Sequence, residues 1–205
     1  MKKYLVGGAV RDKLLERLPD DLDWLVLCQD LQSLEQKLRK ANYRIIYVDE
    51  ARNLIRACLE QGKVEDYVFA ESLEANLSRR DFTINAMAYD GETLYDPYGG
   101  VIDLQLQRLE TVGDAYACLH SSPIRIMRAI RFASCFSLTF SPSIAIAIDL
   151  LKDELKAQQF ESLIRQELNK SLAYSPYSAI ATLTFLSKHE LWSVLDWHGI
   201  TIGTK

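Results

Sequence analysis

Tyr4, Leu5, Val6, Gly7, Gly8, Ala9, Val10, Arg11, Asp12, followed by Asp21, Leu22, Asp23, Trp24, Leu25, Val26, Leu27, is the stretch from which the rest of the chain is read. A short apolar run enters two glycines and then a helical stretch through Leu14, Leu15 and Leu18. Glycines between a strand and a helix let backbone N–H groups approach a phosphate, and the helix N-terminus favours an anion there. Arg11 falls in the first turn, able to grip a phosphate oxygen. Asp21 and Asp23 stand at the start of a second apolar strand. Alternate side chains of a strand share a face, so the two carboxylates would project together from positions roughly 6–7 Å apart. Hard oxygen donors so placed suit Mg²⁺, and two such ions about 3.5–4 Å apart can activate an attacking oxygen and steady a leaving pyrophosphate.

The carboxylate pair alone carries little. With 28 acidic residues among 205, acidic-x-acidic triplets arise about four times by chance, most of them solvated loop charges. Context comes from composition and from two later segments. An apolar content of 48% with 25% charged residues is that of a folded chain with room for one domain or two small ones. The formal net charge of −4 excludes a global basic field, so any RNA contact must come from a local cluster. No apolar run approaches a membrane span, and Lys2 and Lys3 lead into a strand without a signal-peptide pattern; no membrane partner and a cytoplasmic location are the expectation. Cys28, Cys58, Cys118 and Cys135 lack zinc-site spacing and read as reduced, packed thiols.

The first half alternates strands and helices. Leu31, Leu34 and Leu38 have helical spacing and precede a strand over Tyr43 to Val48; Leu54 to Leu59 and Val64 to Ala70 flank Gln61, Gly62 and Lys63 as a hairpin. Asp66, or Glu65 beside it, becomes a third acidic candidate if its strand lies next to the one holding Asp21 and Asp23. The second half reads as helical, with Ser-Pro starts at Pro123, Pro142 and Pro176 predicting helices over 123–136, 142–157 and 176–188, and another over 160–173. The class is therefore α+β, a small mixed sheet followed by an all-helical region.

Leu77, Ser78, Arg79, Arg80, Asp81, Phe82, Thr83, Ile84, Asn85 offers guanidinium groups for a triphosphate and small polar groups for a sugar hydroxyl. Arg125, Arg128 and Arg131 stay on one helical side, spread over about 120°, and a shared anionic partner would remove their mutual repulsion.

In this order, with Asp96, Pro97, Tyr98, Gly99, Gly100 between the last two, the motifs resemble the class II tRNA nucleotidyltransferase and bacterial poly(A) polymerase family, within the polymerase β-type nucleotidyltransferase superfamily. The resemblance covers roughly residues 4 to 173, and more weakly to Trp197, and implies a catalytic head over 1–120 with a helical neck over 121–205. It implies that Asp21 and Asp23 hold Mg²⁺ and that Gly8, Arg11 and Arg80 contact the nucleoside triphosphate. It places Arg128 and Arg131 on the phosphate or base side, Asp81 and Asn85 at the ribose, and Arg125 at the base edge. The implied activity adds nucleotides from CTP and/or ATP to the 3′ end of tRNA or a tRNA-like RNA.

Three departures qualify that expectation. Ser121 and Ser122 replace the family's Glu-Asp pair, so Ser122 offers one hydroxyl where a carboxylate would meet the base edge, predicting altered base discrimination. Only about eight residues separate Ala70 from Arg79, where relatives have a longer flexible loop; its near absence resembles enzymes that add only C. The family's body and tail, which hold the tRNA, do not follow Trp197, and a second copy of the chain is a candidate to replace them. Two other readings stay open: nucleotidylation of a protein or small-molecule acceptor, and a non-catalytic nucleotide- or RNA-binding remnant.

Overall fold

The computed structural model describes residues 1–200 except Asp20, Glu60, Gln61 and Lys63. The chain divides into two compact units, Met1–Val101 and Ile102–Lys205. In the first, β1 (Tyr4–Val6), α1 (Gly8–Leu14), β2 (Asp23–Leu27), α2 (Leu31–Lys40), β3 (Arg44–Asp49), β4 (Leu54–Cys58), β5 (Glu65–Ala70), α3 (Leu73–Leu77), β6 (Ala88–Tyr89) and β7 (Leu94–Tyr95) follow one another. The strands form one seven-stranded sheet in the order β3-β4-β5-β2-β1-β6-β7, in which β2 and β5 run parallel and every other pair is antiparallel. This is the mixed sheet expected. The β4–β5 hairpin is present, although Gln61 and Lys63 of its turn lie outside the described residues.

The period-2 alternation of strands assigns the two faces of this sheet. Val26, Ile55, Ala57 and Tyr67, with Trp24 and Phe69, turn to the back face and pack on Leu31, Leu34 and Leu38, the stripe that made α2 legible. Asp30 caps that helix by accepting from the Ser33 N–H. Asp23, Leu25, Asp66 and Val68 therefore alternate to the front.

α1 stops at Leu14, short of the run expected through Leu18: Glu16 takes a positive φ of 55°, and Leu18 is 95% exposed. With Pro19 following and Leu18 burying nothing, the apolar spacing beyond Leu15 cannot hold a further turn.

After α4 (Gly100–Gln105) the second unit contains β8 (Arg108–Leu109), α5 (Ala115–His120), α6 (Arg125–Phe136), β9 (Thr139–Phe140), α7 (Pro142–Leu151), α8 (Glu161–Tyr174), α9 (Pro176–Lys188) and α10 (Trp192–Trp197). It is helical apart from the two-residue parallel pair β8–β9. α9 has the predicted bounds because Ser175 and Ser178 form a reciprocal capping box ahead of Pro176. α7 likewise starts at Pro142 under the Ser141 cap, but it ends at Leu151 in a 3₁₀ turn over Lys152–Lys156. The Ser122-Pro123 start is displaced: α6 begins at Arg125. Ser121 Oγ donates to the Cys118 carbonyl and the Ser122 N–H to that of Leu119, so these serines close α5 instead of capping α6.

Candidate active site

β1 delivers the chain into Gly7, whose φ of 72° is left-handed backbone that glycine tolerates. A Cβ there would also lie 2.5 Å from Arg80 Nη1, so the Arg80 guanidinium rests against the glycine turn. Gly8 opens α1 beside the Arg11 guanidinium, which a Cβ on Gly8 would approach to 3.3 Å. Arg80 is itself steadied from α3, donating from Nε and Nη2 to Asn76 Oδ1 at 3.3 and 3.0 Å.

Arg11 is buried. It donates to Asp12 Oδ1 from Nε (2.9 Å) and Nη2 (2.7 Å), and to Asn85 Oδ1 from Nη1 (2.7 Å). Asn85 Nδ2 in turn donates to Asp81 Oδ1 at 3.0 Å, which also accepts from the Phe82 N–H at 2.9 Å. Arg11, Asp81 and Asn85 thus form one buried chain that ties α1 to the 3₁₀ turn Thr83–Asn85. Gly100 locks the same turn: a Cβ there would sit 2.3 Å from the Thr83 carbonyl oxygen, and Asp96 accepts from the N–H groups of Gly100 and Val101.

On the front face Asp23 pairs in register with Asp66 across the parallel β2–β5 ladder, which meets the condition set for a third acid. Glu65 points to the other face, accepting from Tyr67 Oη and Lys3 Nζ. Asp66 is held by Arg56 of β4 through two 2.7 Å bonds. Asp21 sits in an exposed bend two residues ahead of β2, so of the pair only Asp23 belongs to the strand. Burial pushes the Asp23 carboxyl up from its ordinary value; Arg80 pulls it down, and the charges of Asp66 and Asp21 raise it further. Three acids and one guanidinium therefore share a field around Asp23.

Among the described residues no group of three or more His, Cys, Asp or Glu side chains is arranged to hold a metal ion. The donors that remain are the Asp21 and Asp23 carboxylates, hard oxygens on a partly buried, mutually repelling face. In kind they fit a divalent cation such as Mg²⁺, which commonly takes one or two carboxylates and completes its shell with water and phosphate oxygens. Beside this face is a cavity of about 430 Å³ lined by Arg52, Asn53, Asn76, Arg79 and Arg80 along with Val68 to Glu71.

The remaining expected residues belong to the second unit. Arg125 Nη1 donates to the Cys118 carbonyl at 3.0 Å and to Ser121 Oγ at 3.2 Å, tying α6 to the end of α5; Ser122 is half-buried beside it. Arg131 is ion-paired with the buried Glu167 of α8 and stacks 4.0 Å from the Phe132 ring, over which Arg128 also lies at 5.3 Å. The repulsion expected along this arginine row is thus offset in part by Glu167.

Asp12, the last residue of the glycine-turn motif, holds Arg11; Asn76, Arg56 and Glu167, which no sequence motif singles out, hold Arg80, Asp66 and Arg131. Asn76 was within reach of inspection, standing four residues before Arg80. Glu167 carried a signal too, a lone acid on the buried side of α8 between Ile164 and Leu168. Arg56 had none until the strand register was known.

The model of the poly A polymerase head domain matches residues 3–67 and 55–110, more than half of the chain. The chain is 36% identical over 215 residues to the multifunctional CCA protein of Stenotrophomonas maltophilia (strain R551-3), covering 95% of this chain and 51% of that protein. To the multifunctional CCA protein of Xanthomonas axonopodis pv. citri (strain 306) it is 39% identical over 197 residues, covering 87% and 47%. Among solved structures, the Bacillus stearothermophilus CCA-adding enzyme in complex with CTP superposes with a TM-score of 0.80 at 31% identity, over 92% of this chain and 48% of that one. The Thermotoga maritima CCA-adding enzyme complexed with tRNA gives 0.78 at 27%, over 95% and 48%. The chain spans about half the length of the curated relatives it matches. By the extent of the family match and the motifs that carry it, the chain belongs to the poly A polymerase head domain family.

Proposed function

We propose that the chain is a Mg²⁺-dependent nucleotidyltransferase that adds nucleotides from CTP and/or ATP to the 3′ end of tRNA or a tRNA-like RNA, with a catalytic head over 1–120 and a helical neck over 121–205. The observation that carries the reading is the front of the sheet, where Asp23 pairs in register with Asp66 and feels the charges of Asp66 and Asp21, beside an arginine drawn against the glycine turn. Relatives of this sequence are named CCA proteins, and solved neighbours hold CTP and tRNA. A tRNA substrate in turn favours a cytoplasmic site of action.

In this reading Asp21 and Asp23 hold the metal, and Arg56 pairs with Asp66, holding that carboxylate in register beside Asp23. Gly8 and Arg80 meet the phosphates at the start of α1. Arg11, Asp81 and Asn85 work mainly by fixing that turn, since their polar atoms already bond one another. Arg125, Arg128 and Ser122 supply donors for the base and phosphate side, and Arg131 braces that helix through Glu167. When bound, the divalent cations lower the barrier to in-line attack of the RNA 3′-hydroxyl on the α-phosphate and to departure of pyrophosphate.

Addition of C alone is favoured over the full CCA by one observation: only α3 and its short flanks connect β5 to Arg79, leaving no long loop to re-dress the site for a second base. The test incubates the purified protein with tRNA transcripts ending before CCA and with each labelled nucleotide in turn. Incorporation of label from CTP, dependent on Mg²⁺, supports the reading. No incorporation with any nucleotide or metal refutes it, and label on protein instead of RNA transfers the site to another acceptor.

A further inference from the structure

The back of the sheet carries a cluster that the proposed reaction does not use. Lys3, just ahead of β1, sends its ammonium under the sheet, where it donates to Tyr43 Oη at 3.3 Å, Glu65 Oε2 at 3.1 Å and Tyr67 Oη at 3.1 Å. The same nitrogen lies 3.7 Å from the centre of the Trp24 ring, with the Tyr43 and Tyr67 rings also within cation–π range. Tyr67 Oη donates to the same Glu65 oxygen. One cation, one carboxylate and three aromatic rings thus close on each other.

What gives the cluster meaning is its place in the register. Trp24 follows Asp23 directly, while Glu65 and Tyr67 flank Asp66 on either side. Asp23 pairs with Asp66, and Trp24 with Tyr67, so the two acids stand on the front of one ladder step and the two aromatics on the back of the next. A ligating carboxylate such as that of Asp23 must be held to within about 0.5 Å by packing that has no freedom of its own. Lys3 meets the strand residues next to both acids at once. It also pairs with Glu65, holding that carboxylate on the back of the sheet.

We propose that Lys3 is a positioning residue for the proposed metal site, fixing from the back of the sheet the segments of β2 and β5 that present Asp23 and Asp66 at the front. The inference rests on the metal-dependent reading of that face.

The experiment titrates the purified protein with Mn²⁺ and counts free ion by electron paramagnetic resonance, using the Asp21→Ala plus Asp23→Ala double variant to subtract other sites. Lys3→Met keeps the stem and removes the charge, and Lys3→Arg restores a charge. Lys3→Met is expected to weaken site-specific Mn²⁺ binding by about fivefold or more, with partial rescue by Lys3→Arg. Tyr67→Phe, which deletes one hydroxyl, gives a smaller loss in the same direction and serves if Lys3→Met does not fold. Mn²⁺ affinity unchanged in the folded variants, with only a lowered melting temperature, overturns the inference and leaves the proposed function standing. Wild-type protein that binds Mn²⁺ through Lys3-dependent geometry but transfers no nucleotide would do the reverse.

Discussion

The two faces of the seven-stranded sheet treat charge in opposite ways. On the back, Lys3, Glu65 and the tyrosine hydroxyls satisfy one another over an apolar layer of Val26, Ile55, Ala57 and Tyr67 packed on α2. On the front, Asp23 is partly buried between the like charges of Asp66 and Asp21, and Arg80 pulls its carboxyl back toward ionisation. Because side chains alternate along a strand, β2 and β5 serve both faces with neighbouring residues. Stability is drawn from one side, and the other keeps an electrostatic cost that a bound cation would remove.

On this contrast, variants of the front-face acids should lose activity, and variants in the apolar layer between the back face and α2 should lose stability. The largest effect is expected from Asp21→Ala plus Asp23→Ala, a drop of about 10³-fold or more in nucleotide incorporation, read with labelled CTP on tRNA transcripts, at unchanged circular dichroism. Leu38→Ala on the fully buried side of α2 should cost about 3 kcal/mol in chemical denaturation without weakening Mn²⁺ binding to the folded protein. Gly100→Ala tests the framework of the front, since its Cβ would meet the Thr83 carbonyl; a loss of about 2 kcal/mol is expected, seen as a melting point lower by roughly 4–8 °C. In the second unit, Ser122→Asp should sharpen discrimination among the four nucleotides by about tenfold, measured as ratios of kcat/KM.

The smallest effect concerns pH. Burial, then the neighbouring acids, raise Asp23, so in metal-free protein its proton is bound more tightly in the folded than in the unfolded state. This group therefore contributes stability that grows as pH falls from neutrality through its raised value and towards the ordinary carboxylate value. Asp23→Asn should remove that dependence and raise metal-free stability at pH 7. Metal binding should weaken over the same fall in pH. A denaturation series with chelator, set beside Mn²⁺ titrations at each pH, separates the two trends.

Local signals made much of this legible before any coordinates. The glycine turn, the α2 stripe and the Ser-Pro caps at Pro142 and Pro176 each act within a few residues, so their reading survives folding. The Ser122-Pro123 start misled because the same serines found acceptors behind them, at the end of α5. Two-residue strands such as β6 to β9 carry no period to detect. The candidate site was legible as a set of residues but not as a set of partners. Arg56 reaches Asp66 through hairpin register, Asn85 reaches Arg11 across 74 residues, and Glu167 reaches Arg131 across 36. Such pairings depend on where whole elements come to rest, which no short window of sequence records.

The most direct test is crystallographic. Crystals soaked in Mn²⁺ and measured at the manganese absorption edge locate the ion without reference to activity. The expected result is an anomalous peak about 2.1 Å from carboxylate oxygens of both Asp21 and Asp23, on the front of the sheet. A clear Mn²⁺ peak elsewhere, or none at that face at saturating ion, would contradict the assignment of these two acids as the metal-binding centre.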